Sequence, residues 1–434
     1  MSDQPLRIGI AGLGTVGCGV VKSLQAHGAL LAGQTGREVE ITAVCARDKT
    51  RDRGLELDGI AWFDDARQLA GSNSIDVFVE LIGGEGGMAL ESVEAALASG
   101  RSVVTANKAL LARHGLHLAR LAEKTGATLN FEAAAAGAVP IVKTLRESLA
   151  GNDIKRIYGI MNGTCNYILT RMEAEGRDFG EILADAQKLG YAEADPTADI
   201  GGFDTAHKLA LLTSLAFGTE VDLDSIYIEG IERISAADLK AADELGYRIK
   251  LLGVAVKSDT GIEQRVHPTM VPKNSAIAEI DGVFNAVMVE GDFSGEIMLM
   301  GRGAGEKPTA SAVVADIADL ARGGSCPAFG RPAAQLAPYK RSRMKAHAGG
   351  YYVRLDVPDQ QGVMALIATH MAEHNISLKS IVQHAPHTEN GDVTVPVVLI
   401  THKTVEADVR AALAAIKKDG TVYREPQLIR IERA

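Results

Sequence analysis

Apolar positions along the first 138 residues fall into short runs, separated by amphipathic stretches rich in alanine and leucine. The apolar runs predict strands at residues 7–11, 39–45, 75–82, 102–105 and 128–131. Apolar residues at helical spacing predict helices between several of these strands, at 89–99 and 109–125. This alternation is typical of βαβ units, in which helices cover both faces of a parallel sheet. We therefore predict an α/β domain with a doubly wound parallel sheet over residues 1–138.

The order of the elements changes in the middle of the chain, over residues 139–304. Helical patterns come first, at residues 141–149, 167–175, 179–189 and 204–217. Strand patterns follow at 249–256, 263–272 and 286–291. Helices followed by strands predict an α+β domain on a mixed or antiparallel sheet. Another helical pattern at 309–321 follows a glycine-rich run, and we expect residues 305–325 to return the chain to the first domain.

The C-terminal part of the chain has a pattern of its own. Residues 326–349 hold proline, glycine and a short basic run at 340–345, which predicts a linker with solvated charges. Within residues 350–434, strand patterns lie at 351–357, 377–383, 392–400 and 427–432, and helical patterns at 363–374 and 405–417. Their order, β-α-β-β-α-β, predicts a ferredoxin-like domain.

Length, charge and cysteine usage limit the number of domains and exclude several classes of protein. A chain of 434 residues is long enough for two or three domains. Its 45 basic and 55 acidic residues give a net charge of −10, which argues against a nucleic-acid partner. Apolar runs stay shorter than the roughly 18 residues of a membrane span, and the N-terminus lacks the pattern of a signal peptide. The four cysteines form no C-x-x-C pair, so we predict a cytoplasmic protein without disulfides or a zinc site.

A glycine motif directly follows the first predicted strand. Its sequence is Gly12-Leu13-Gly14-Thr15-Val16-Gly17, a G-x-G-x-x-G pattern at the start of a predicted helix. In this pattern the first glycine permits a tight turn, the second lets the backbone approach a pyrophosphate, and the third lets helix and strand come close. The free N–H groups at the helix N-terminus favour an anion. The motif therefore predicts a Rossmann-type dinucleotide site formed by these six residues.

The residues after the second predicted strand bear on the choice of dinucleotide. An NAD-specific site usually carries Asp or Glu there, where the carboxylate accepts a hydrogen bond from the ribose 2′-hydroxyl. Here Arg47 is the first charged residue after the strand, with Lys49 and Arg53 close behind it. A guanidinium suits the 2′-phosphate of NADP, whereas a solvated loop of mixed charge is the alternative. We expect NADP to be preferred, with NAD still possible.

Polar residues cluster where apolar contacts do not require them. Thr105, Asn107 and Lys108 follow a predicted strand of the first domain, at the edge where ligands bind in open α/β sheets. Asp204 and Lys208 lie four residues apart, so they share one face of a predicted helix. The pair is either an ordinary surface ion pair or part of a site, because a buried charged pair on an apolar helix is costly. From spacing alone both interpretations stay open.

Six motifs occur in one order between Ile8 and Ile317. They are GLGTVG, TANKALL, FEAAAAGAVPI, MNGTCNYILT, GYAEADPTADIGGFDTAHKLALL and GRGAGEKPTASAVVADI. In this order they resemble the homoserine dehydrogenase family. The segment VPDQQGVMALIATHMAEHNISLKSIVQ in the last unit resembles an ACT domain, the regulatory module attached to many members of this family. No aspartate kinase segment precedes Met1, so the resemblance is to the monofunctional enzyme.

The resemblance implies an oxidoreductase that reversibly reduces L-aspartate 4-semialdehyde to L-homoserine with NAD(P)H, on the route to threonine, methionine and isoleucine. By motif position, Lys208 would donate the proton and Lys108 would lie close to nicotinamide and substrate. Glu193, Asp199 and Asp204 would hold the amino acid substrate, with Asp204 also serving the chemistry. The residues alone do not decide which lysine donates. Cofactor contacts outside the glycine motif are implied for Arg47, Thr105, Lys108, Gly190, Gly303 and Gly305.

The resemblance also implies a structural ion, an effector and a partner. A sodium ion would be bound by Glu132 and by the backbone carbonyls of Ala135, Gly137 and Val139. One carboxylate with several carbonyls suits a hard monovalent cation better than zinc. In the turn 359–362 the start of a helix leaves N–H groups for the carboxylate of threonine, a feedback inhibitor. Pairing through the middle-domain sheet implies a homodimer, and pairing of ACT domains a homotetramer.

Two other functions are compatible with part of the sequence. A different semialdehyde dehydrogenase, forming an acyl phosphate, would need a cysteine nucleophile, for which Cys165 is the candidate, although a buried apolar thiol is the simpler interpretation. A regulator that senses nucleotides and amino acids would use the first domain and the ACT unit. It would leave Lys108, Glu193, Asp204 and Lys208 without a role.

Overall fold

Two β-sheets organise the residues that the computed structural model describes, which are 4–342, 348–389 and 392–432. The first elements along the chain are β1 (Leu6–Ala11), α1 (Thr15–Thr35), β2 (Val39–Cys45), β3 (Ala61–Phe63), α2 (Ala66–Gly71), β4 (Val77–Glu80), α3 (Met88–Ala98), β5 (Ser102–Thr105), α4 (Lys108–Thr125) and β6 (Leu129–Asn130). The strands pair in parallel in the order β3-β2-β1-β4-β5-β6. This is the doubly wound Rossmann-type order, which confirms the fold class predicted from the alternation of strands and helices.

The middle of the chain forms a second sheet covered by helices. It begins with α5 (Ile141–Lys143), continued by a π-helical turn over residues 144–148. The elements that follow are β7 (Ile154–Ile160), α6 (Gly163–Glu175), α7 (Phe179–Lys188), α8 (Thr197–Ile200), α9 (Phe203–Phe217), β8 (Tyr227–Ile228), α10 (Ala236–Glu244), β9 (Tyr247–Ser258), β10 (Gly261–Pro272), β11 (Phe284–Gly291), β12 (Gly295–Arg302) and α11 (Glu306–Ala321). Strands β12, β11, β7, β9 and β10 lie side by side with antiparallel neighbours. The helices-then-strands pattern therefore forms the kind of sheet that it predicts.

The last elements extend this second sheet. They are β13 (Ala348–Pro358), α12 (Val363–Glu373), β14 (Leu378–Gln383), β15 (His387–Glu389), β16 (Asp392–Thr401), β17 (Thr404–Val405), α13 (Glu406–Lys418) and β18 (Gln427–Ile431). The order β18-β13-β16-β14, with antiparallel neighbours, is that of a ferredoxin-like βαββαβ unit. A short parallel pairing of β18 with β10 joins it to the middle strands. Among the described residues, two units that the sequence predicts separately thus share one continuous sheet.

Helix α11 packs against the first sheet although it lies far from it in sequence. Its residues Val313 and Ile317 belong to one apolar cluster with Ile8 and Ile10 of β1 and Val20 of α1. All five side chains are fully buried. Burial of each is worth about 1.5–3 kcal/mol relative to an exposed side chain, so the cluster holds the helix in place. This placement agrees with the expected return of the chain to the first domain, while the domain limits themselves stay a prediction.

The described part of the predicted linker, residues 326–342, packs against the rest of the molecule. Phe329 is buried beside Phe131, with ring centroids 5.3 Å apart, and Leu336 is buried as well. The prolines and charges of this segment predict that it is solvated. Composition cannot show that an apolar residue of the segment packs against a residue far away in the sequence, as Phe329 does against Phe131. The rest of the predicted linker includes residues 343–347, which lie outside the described residues.

Some elements lie where the sequence pattern predicts none, among them β7, α10 and β12. Strand β7 carries Lys155 and Arg156 between its apolar residues, and these side chains form ion pairs with Asp153 and Glu432. Strand β12 lies at the edge of its sheet, and its side chains alternate between half-buried and exposed. The adjacent charges of Lys155 and Arg156 interrupt the apolar run of β7, so a search for such runs does not find this strand.

Two kinds of feature are absent from the described residues. No helix in the ranges given above is long and apolar enough to cross a membrane. No group of three or more His, Cys, Asp or Glu side chains in those ranges is arranged to hold a metal ion.

Candidate active site

The glycine motif forms the turn between β1 and α1. Gly12 has a φ of +100°, and a Cβ at Gly12 would lie 2.3 Å from the carbonyl oxygen of Leu81. At Gly17 a Cβ would lie 1.9 Å from the carbonyl oxygen of Gly12. At Gly14, by contrast, no protein atom lies within 4 Å of the position that a Cβ would take. Gly14 therefore opens onto free space, as a turn that receives a pyrophosphate requires.

The rest of the motif supplies backbone groups to the same turn. Helix α1 begins at Thr15, and its N-cap residue Gly14 has no side chain to satisfy the first N–H groups. These N–H groups and the positive end of the helix dipole are therefore available to an anion. Leu13 and Val16 direct their side chains into the apolar cluster under the turn, so their contribution to a cofactor would come from the backbone.

Arg53, rather than Arg47, is the arginine that the structure holds against the glycine turn. Arg53 Nε donates to the carbonyl oxygen of Leu13 at 3.2 Å, and Arg53 Nη2 donates to the carbonyl oxygen of Asp48 at 2.7 Å. Its guanidinium lies 5.7 Å from the ring centroid of Trp62. The Arg47 side chain is exposed and forms no hydrogen bond or ion pair within the described part of the chain. The loop after β2 thus presents one arginine tied to the turn and one that is available to a ligand.

Two lysines from different units meet at one carboxylate. Lys208 Nζ lies 2.7 Å from Asp204 Oδ2, and Lys108 Nζ lies 3.2 Å from Asp204 Oδ1. Lys208 Nζ also donates to the carbonyl oxygen of Met161 at 2.6 Å. The Lys208 side chain is 11% exposed and the Lys108 side chain 35% exposed, so Lys108 has more room beside a ligand. The Asp204 and Lys208 pair is therefore buried, and the interpretation as an ordinary surface ion pair is wrong.

The local sequence explains why these side chains meet. Gly202, with a φ of +86°, precedes α9 and places Asp204 in the first turn of that helix, where the dipole favours an acid. Lys108 is the first residue of α4, whose N-cap residue Asn107 accepts a hydrogen bond from the N–H of Leu110 at 3.1 Å. Helices α4 and α9 contact each other. The beginnings of two helices, one from each unit, therefore supply the charged cluster.

Asn162 links two carboxylates of the predicted substrate site. Its Nδ2 donates to Asp199 Oδ1 at 2.7 Å and to Asp204 Oδ2 at 2.9 Å. Its Oδ1 accepts a hydrogen bond from the N–H of Cys165 at 2.8 Å and so caps α6. Asn162 is not among the predicted site residues, although an Asn before a helix is a recognised N-cap signal. One amide therefore starts a helix and orients both carboxylates.

The pKa values of Asp204 and Asp199 shift in opposite directions. Burial alone would raise the pKa of Asp204, but the ammonium groups of Lys208 and Lys108 outweigh burial and hold this pKa well below its usual range. Burial raises the pKa of Asp199, and the negative charge of Asp204 raises it further. Asp204 therefore stays ionised at neutral pH, whereas Asp199 takes up a proton at a higher pH than an ordinary aspartate.

The loop before α11 reaches the same cluster. Asn285 Nδ2 donates at 3.0 Å to the carbonyl oxygen of Met161, which also accepts a hydrogen bond from Lys208. A Cβ at Gly303 would lie 2.0 Å from Asn285 Nδ2, so the loop passes directly against this amide. Gly305, with a φ of +112°, is the N-cap residue of α11. The loop thus lies beside the lysine cluster, and its contact with a cofactor stays a prediction.

Glu193 is not joined to the lysine cluster by any contact. Its side chain is exposed in the loop after α7, and its carboxylate forms no hydrogen bond or ion pair among the residues described. Gly190, with a φ of +76°, begins this loop. Tyr191 stacks on Tyr167 with ring centroids 4.8 Å apart, and its carbonyl oxygen accepts a hydrogen bond from Thr164. The loop is thereby attached to α6, and the roles of Glu193 and Gly190 stay predictions.

Glu132 has a buried carboxylate at the loop that the resemblance assigns to sodium. Its Oε1 accepts the N–H of Val142 at 3.0 Å, and its Oε2 accepts the N–H of Lys143 at 2.7 Å. Burial raises the pKa of Glu132, and these two hydrogen bonds act against that rise. The carboxylate therefore serves first as a cap for the helical turn that begins at Ile141.

The backbone carbonyls of this loop fit a cation. Ala135 and Gly137 are buried, and their carbonyl oxygens accept no backbone hydrogen bond in the described ranges. The carbonyl oxygen of Val139 accepts the N–H of Ile141 at 2.8 Å. Carbonyl groups without a partner are rare in buried segments, and carbonyl oxygens suit a hard cation of low charge.

Cys165 does not have the surroundings of a catalytic nucleophile. Its thiol is buried and donates to the carbonyl oxygen of Asp199 at 3.2 Å. Burial raises the pKa of this thiol well above its ordinary value. Because the thiolate is the reactive form of cysteine, the acyl-phosphate chemistry of a different semialdehyde dehydrogenase has no nucleophile here.

The site as a whole suits hydride transfer to a carbonyl carbon. A glycine turn for a dinucleotide lies at the carboxyl edge of the parallel sheet, where such cofactors bind. Ammonium groups at the same edge can neutralise the charge that develops on a carbonyl oxygen when hydride arrives from a nicotinamide. A fold and a site of this kind define a nicotinamide-dependent dehydrogenase of the Rossmann class.

Comparisons with known proteins identify the family within this class. The family model described as homoserine dehydrogenase matches residues 140–318, and the one described as homoserine dehydrogenase, NAD binding domain, matches residues 12–132. The chain is 42% identical to a homoserine dehydrogenase of Neisseria gonorrhoeae over 435 residues, which cover 99% of each protein. The chain belongs to the homoserine dehydrogenase family and is an oxidoreductase.

Solved structures agree with this assignment. The crystal structure of a homoserine dehydrogenase from Thiobacillus denitrificans is similar with a TM-score of 0.93 and 40% identity, covering 100% of this chain and 99% of that one. A hyperthermophilic archaeal homoserine dehydrogenase in complex with NADPH is more distant, with a TM-score of 0.62 and 26% identity. It covers 73% of this chain and 97% of its own.

Proposed function

We propose that this chain catalyses the reversible reduction of L-aspartate 4-semialdehyde to L-homoserine. The family membership supports this reaction, and the observation that carries the mechanism is the Asp204 carboxylate held between Lys108 and Lys208. A nicotinamide dinucleotide supplies the hydride when it is bound. The aldehyde oxygen then gains negative charge, which an adjacent ammonium group stabilises and protonates.

Lys208 is the proposed proton donor. Its Nζ is fixed by the Met161 carbonyl and by Asp204, so one N–H remains to point at the substrate oxygen. Lys108 lies on the dinucleotide-binding unit and is more exposed, which suits contact with both nicotinamide and substrate. Asp204 holds the two ammonium groups in place, and the carboxylate of Asp199, oriented by Asn162, is available to the ammonium group of the amino acid.

The cofactor proposed for this site is NADP(H), with NAD as the second choice. Arg47 is available to the 2′-phosphate, and Arg53 stabilises the glycine turn through the carbonyl oxygen of Leu13. The archaeal relative in complex with NADPH supports the same assignment. A structural sodium ion is proposed at the loop of Glu132, Ala135, Gly137 and Val139, where the carbonyl oxygens of two buried residues, Ala135 and Gly137, have no backbone partner among the residues described.

The C-terminal βαββαβ unit is the proposed ACT domain, and threonine is its proposed effector. Gly362, with a φ of +89°, is the N-cap residue of α12 and has no side chain to occupy the first N–H groups. These groups suit the carboxylate of an amino acid. The proposed reaction lies on the route to threonine, methionine and isoleucine, which is the reason for proposing threonine as a feedback inhibitor. We propose a homodimer through the middle sheet, or a homotetramer where the ACT units also pair.

One assay tests the proposed function. Purified protein is mixed with homoserine and NADP, and formation of NADPH is followed with and without a thiol-alkylating reagent. We expect homoserine-dependent reduction of NADP that survives alkylation, because Cys165 is buried and is not the nucleophile. Binding of NADP without turnover would contradict the proposal and favour a nucleotide-sensing regulator. No reduction of NADP with homoserine, together with alkylation-sensitive reduction of NADP with L-aspartate 4-semialdehyde and phosphate, would favour the cysteine-dependent semialdehyde dehydrogenase instead.

A further inference from the structure

A fully buried carboxylate lies at the end of β4, between the two strands that carry the proposed cofactor residues. Glu80 pairs in register with Ala11 of β1 on one side and with Thr105 of β5 on the other. Burial of an ionised carboxylate is costly unless its oxygens are satisfied by hydrogen bonds. Glu80 is not among the predicted site residues, and the contacts of its two oxygens show what the residue does.

The first oxygen of Glu80 shapes the loop that closes one side of the glycine turn. Oε1 accepts the N–H of Ile82 at 2.8 Å and the N–H of Gly83 at 3.0 Å. This loop directs the carbonyl oxygen of Leu81 at Gly12, where a Cβ would lie only 2.3 Å away from it. A shift of this loop would therefore move the carbonyl oxygen of Leu81 against Gly12 and displace the turn that is proposed to receive the pyrophosphate.

The second oxygen of Glu80 leads to the start of the helix that carries Lys108. Oε2 accepts the hydroxyl of Thr105 at 2.5 Å, and Thr105 Oγ1 in turn accepts the N–H of Asn107 at 3.0 Å. Asn107 is the N-cap residue of α4, and its Nδ2 donates to the carbonyl oxygen of Gly84 at 2.7 Å. A continuous set of hydrogen bonds thus connects Glu80 to the helix whose first residue is Lys108.

We propose that Glu80 is a positioning residue for the dehydrogenase reaction, because one carboxylate holds both the loop against the glycine turn and the start of the Lys108 helix. The kinetic part of this inference rests on the proposed function, whereas the cofactor-binding part does not. At Oε1 the site requires an acceptor, since the N–H groups of Ile82 and Gly83 can only donate, and at Oε2 Glu80 accepts the hydroxyl of Thr105. A glutamine of the same shape removes the negative charge, and its amino group either meets the two N–H groups or makes the Thr105 hydroxyl turn away from position 80.

The Glu80→Gln variant tests the proposal through cofactor binding and turnover. We expect the Kd for NADPH, measured by titration calorimetry, to rise and kcat/KM for the cofactor to fall about ten- to hundredfold, the usual loss for a hydrogen bond to a charged group. The KM for homoserine should change less than the Kd for NADPH, because Asp199 and Asp204 lie in the other unit and Lys108 is the one substrate contact that Glu80 positions. Thr105→Val, which removes the hydroxyl without changing the shape, should cause a similar loss that is not additive with Glu80→Gln.

Asp76→Asn is the matched control, because Asp76 precedes the same strand at its opposite end. Its carboxylate accepts the backbone N–H and the side chain of Arg7 and contacts no proposed site residue. We expect this variant to lower the melting temperature and to leave the Kd for NADPH and kcat unchanged. If Glu80→Gln behaves in the same way as Asp76→Asn, Glu80 only stabilises the fold and the inference is overturned. If the wild-type protein does not oxidise homoserine, the proposed function fails, and the Kd for NADPH still decides the role of Glu80.

Discussion

At the scale of single residues, Asp204 is the carboxylate that both lysines of the site contact. Its two carboxylate oxygens contact Lys208 and Lys108, and Asn162 donates to one of them. Loss of one lysine leaves the charge of Asp204 paired with the other. Loss of Asp204 leaves two ammonium groups close together, and breaking a buried pair in this way costs about 3–5 kcal/mol. The two lysines are therefore the residues that can be removed singly to separate their roles.

Removal of Lys208 tests the assignment of the proton donor. We expect Lys208→Ala to lower kcat about 10²–10⁴-fold, the usual effect of losing a positioned proton donor. The Kd for NADPH should change little, because Lys208 belongs to the middle unit. Lys240→Ala, which removes an exposed lysine from α10 of the same unit, is the control and should keep full turnover. Near-normal turnover of Lys208→Ala together with an inactive Lys108→Ala would assign the donor to Lys108.

The pKa of Asp199 predicts the pH dependence of substrate binding. Because this pKa is raised above its usual value of about 3.9, Asp199 gains its proton, and loses its charge, as the pH falls through the raised value. We expect the KM for homoserine to rise on that acid side, since a neutral carboxyl attracts the substrate ammonium less. Asp199→Asn should have a high KM that no longer changes over this range. An unchanged acid limb in the variant would show that another group titrates.

At the scale of secondary-structure elements, the loop after β2 combines two arginines with different tasks. Arg53 is bonded to the backbone of Leu13 and Asp48 and therefore supports the turn itself. Arg47 is exposed and makes no such bond within the described residues. The two side chains lie on one loop, yet only their contacts, which the sequence does not display, distinguish the supporting arginine from the one that is available to a phosphate.

Separate substitutions of these arginines test their tasks. We expect Arg47→Ala to lower kcat/KM for NADP about ten- to hundredfold, as loss of a charge-assisted contact does, and to leave kcat/KM for NAD nearly unchanged. Arg53→Ala should lower both, because the turn serves either dinucleotide. Steady-state kinetics with the two cofactors provides the measurement. Equal losses with NAD and NADP in Arg47→Ala would show that Arg47 does not bind the 2′-phosphate.

The turn that begins α12 is the element at which we expect threonine to act. Gly362 adopts a left-handed φ of +89°, so Gly362→Ala strains the turn and places a methyl group near its N–H groups. We expect this variant to need about 5–150-fold more threonine for half inhibition, the range of ordinary allosteric coupling. Gly420→Ala, at another left-handed turn of the same unit, is the control. A wild-type protein that ignores threonine would contradict the proposed effector.

At the scale of the whole molecule, the C-terminal unit and the middle unit are connected by buried polar contacts as well as by a shared sheet. Asp238 of α10 is fully buried and accepts the hydroxyl of Tyr352 at 3.0 Å and the Nε of Arg354 at 2.7 Å. Tyr352 and Arg354 both lie on β13. The two units therefore present a continuous interface through which an effector bound to one can influence the other.

The stability of this connection can be measured with one substitution. We expect Asp238→Asn to lower the free energy of unfolding by about 1–3 kcal/mol, because it removes the buried negative charge that Arg354 contacts, whereas Arg354 keeps Asp356 as a charged partner. Asp243→Asn on the same helix removes an exposed carboxylate that contacts Lys273, and it should cost about 1 kcal/mol or less. Denaturant unfolding of both variants provides the comparison. Equal stabilities would show that the contact between the units contributes little.

Local features are what the sequence by itself determines in this protein. The alternation of apolar runs with helical spacing predicts the doubly wound sheet, since burial on both faces requires continuous apolar strands. The glycine spacing predicts the turn at Gly12, because only a residue without Cβ fits against the carbonyl oxygen of Leu81. The order of the six motifs identifies the family, and each motif is, like the Gly12 turn, a short stretch of sequence with its own local geometry.

Contacts between distant parts of the chain are decided only in the tertiary structure. The meeting of Lys108 with Asp204, the bonds of Glu80 and the pairing of β10 with β18 join residues far apart in sequence. The hydrophobic periodicity of a segment predicts its helix or strand, but it does not show which distant residue a side chain contacts. The same helix or strand is predicted whether or not that contact forms. The neighbours that the fold supplies then set the pKa values. The ammonium groups of Lys208 and Lys108 hold the pKa of Asp204 low against the effect of burial, whereas burial and the charge of Asp204 raise the pKa of Asp199.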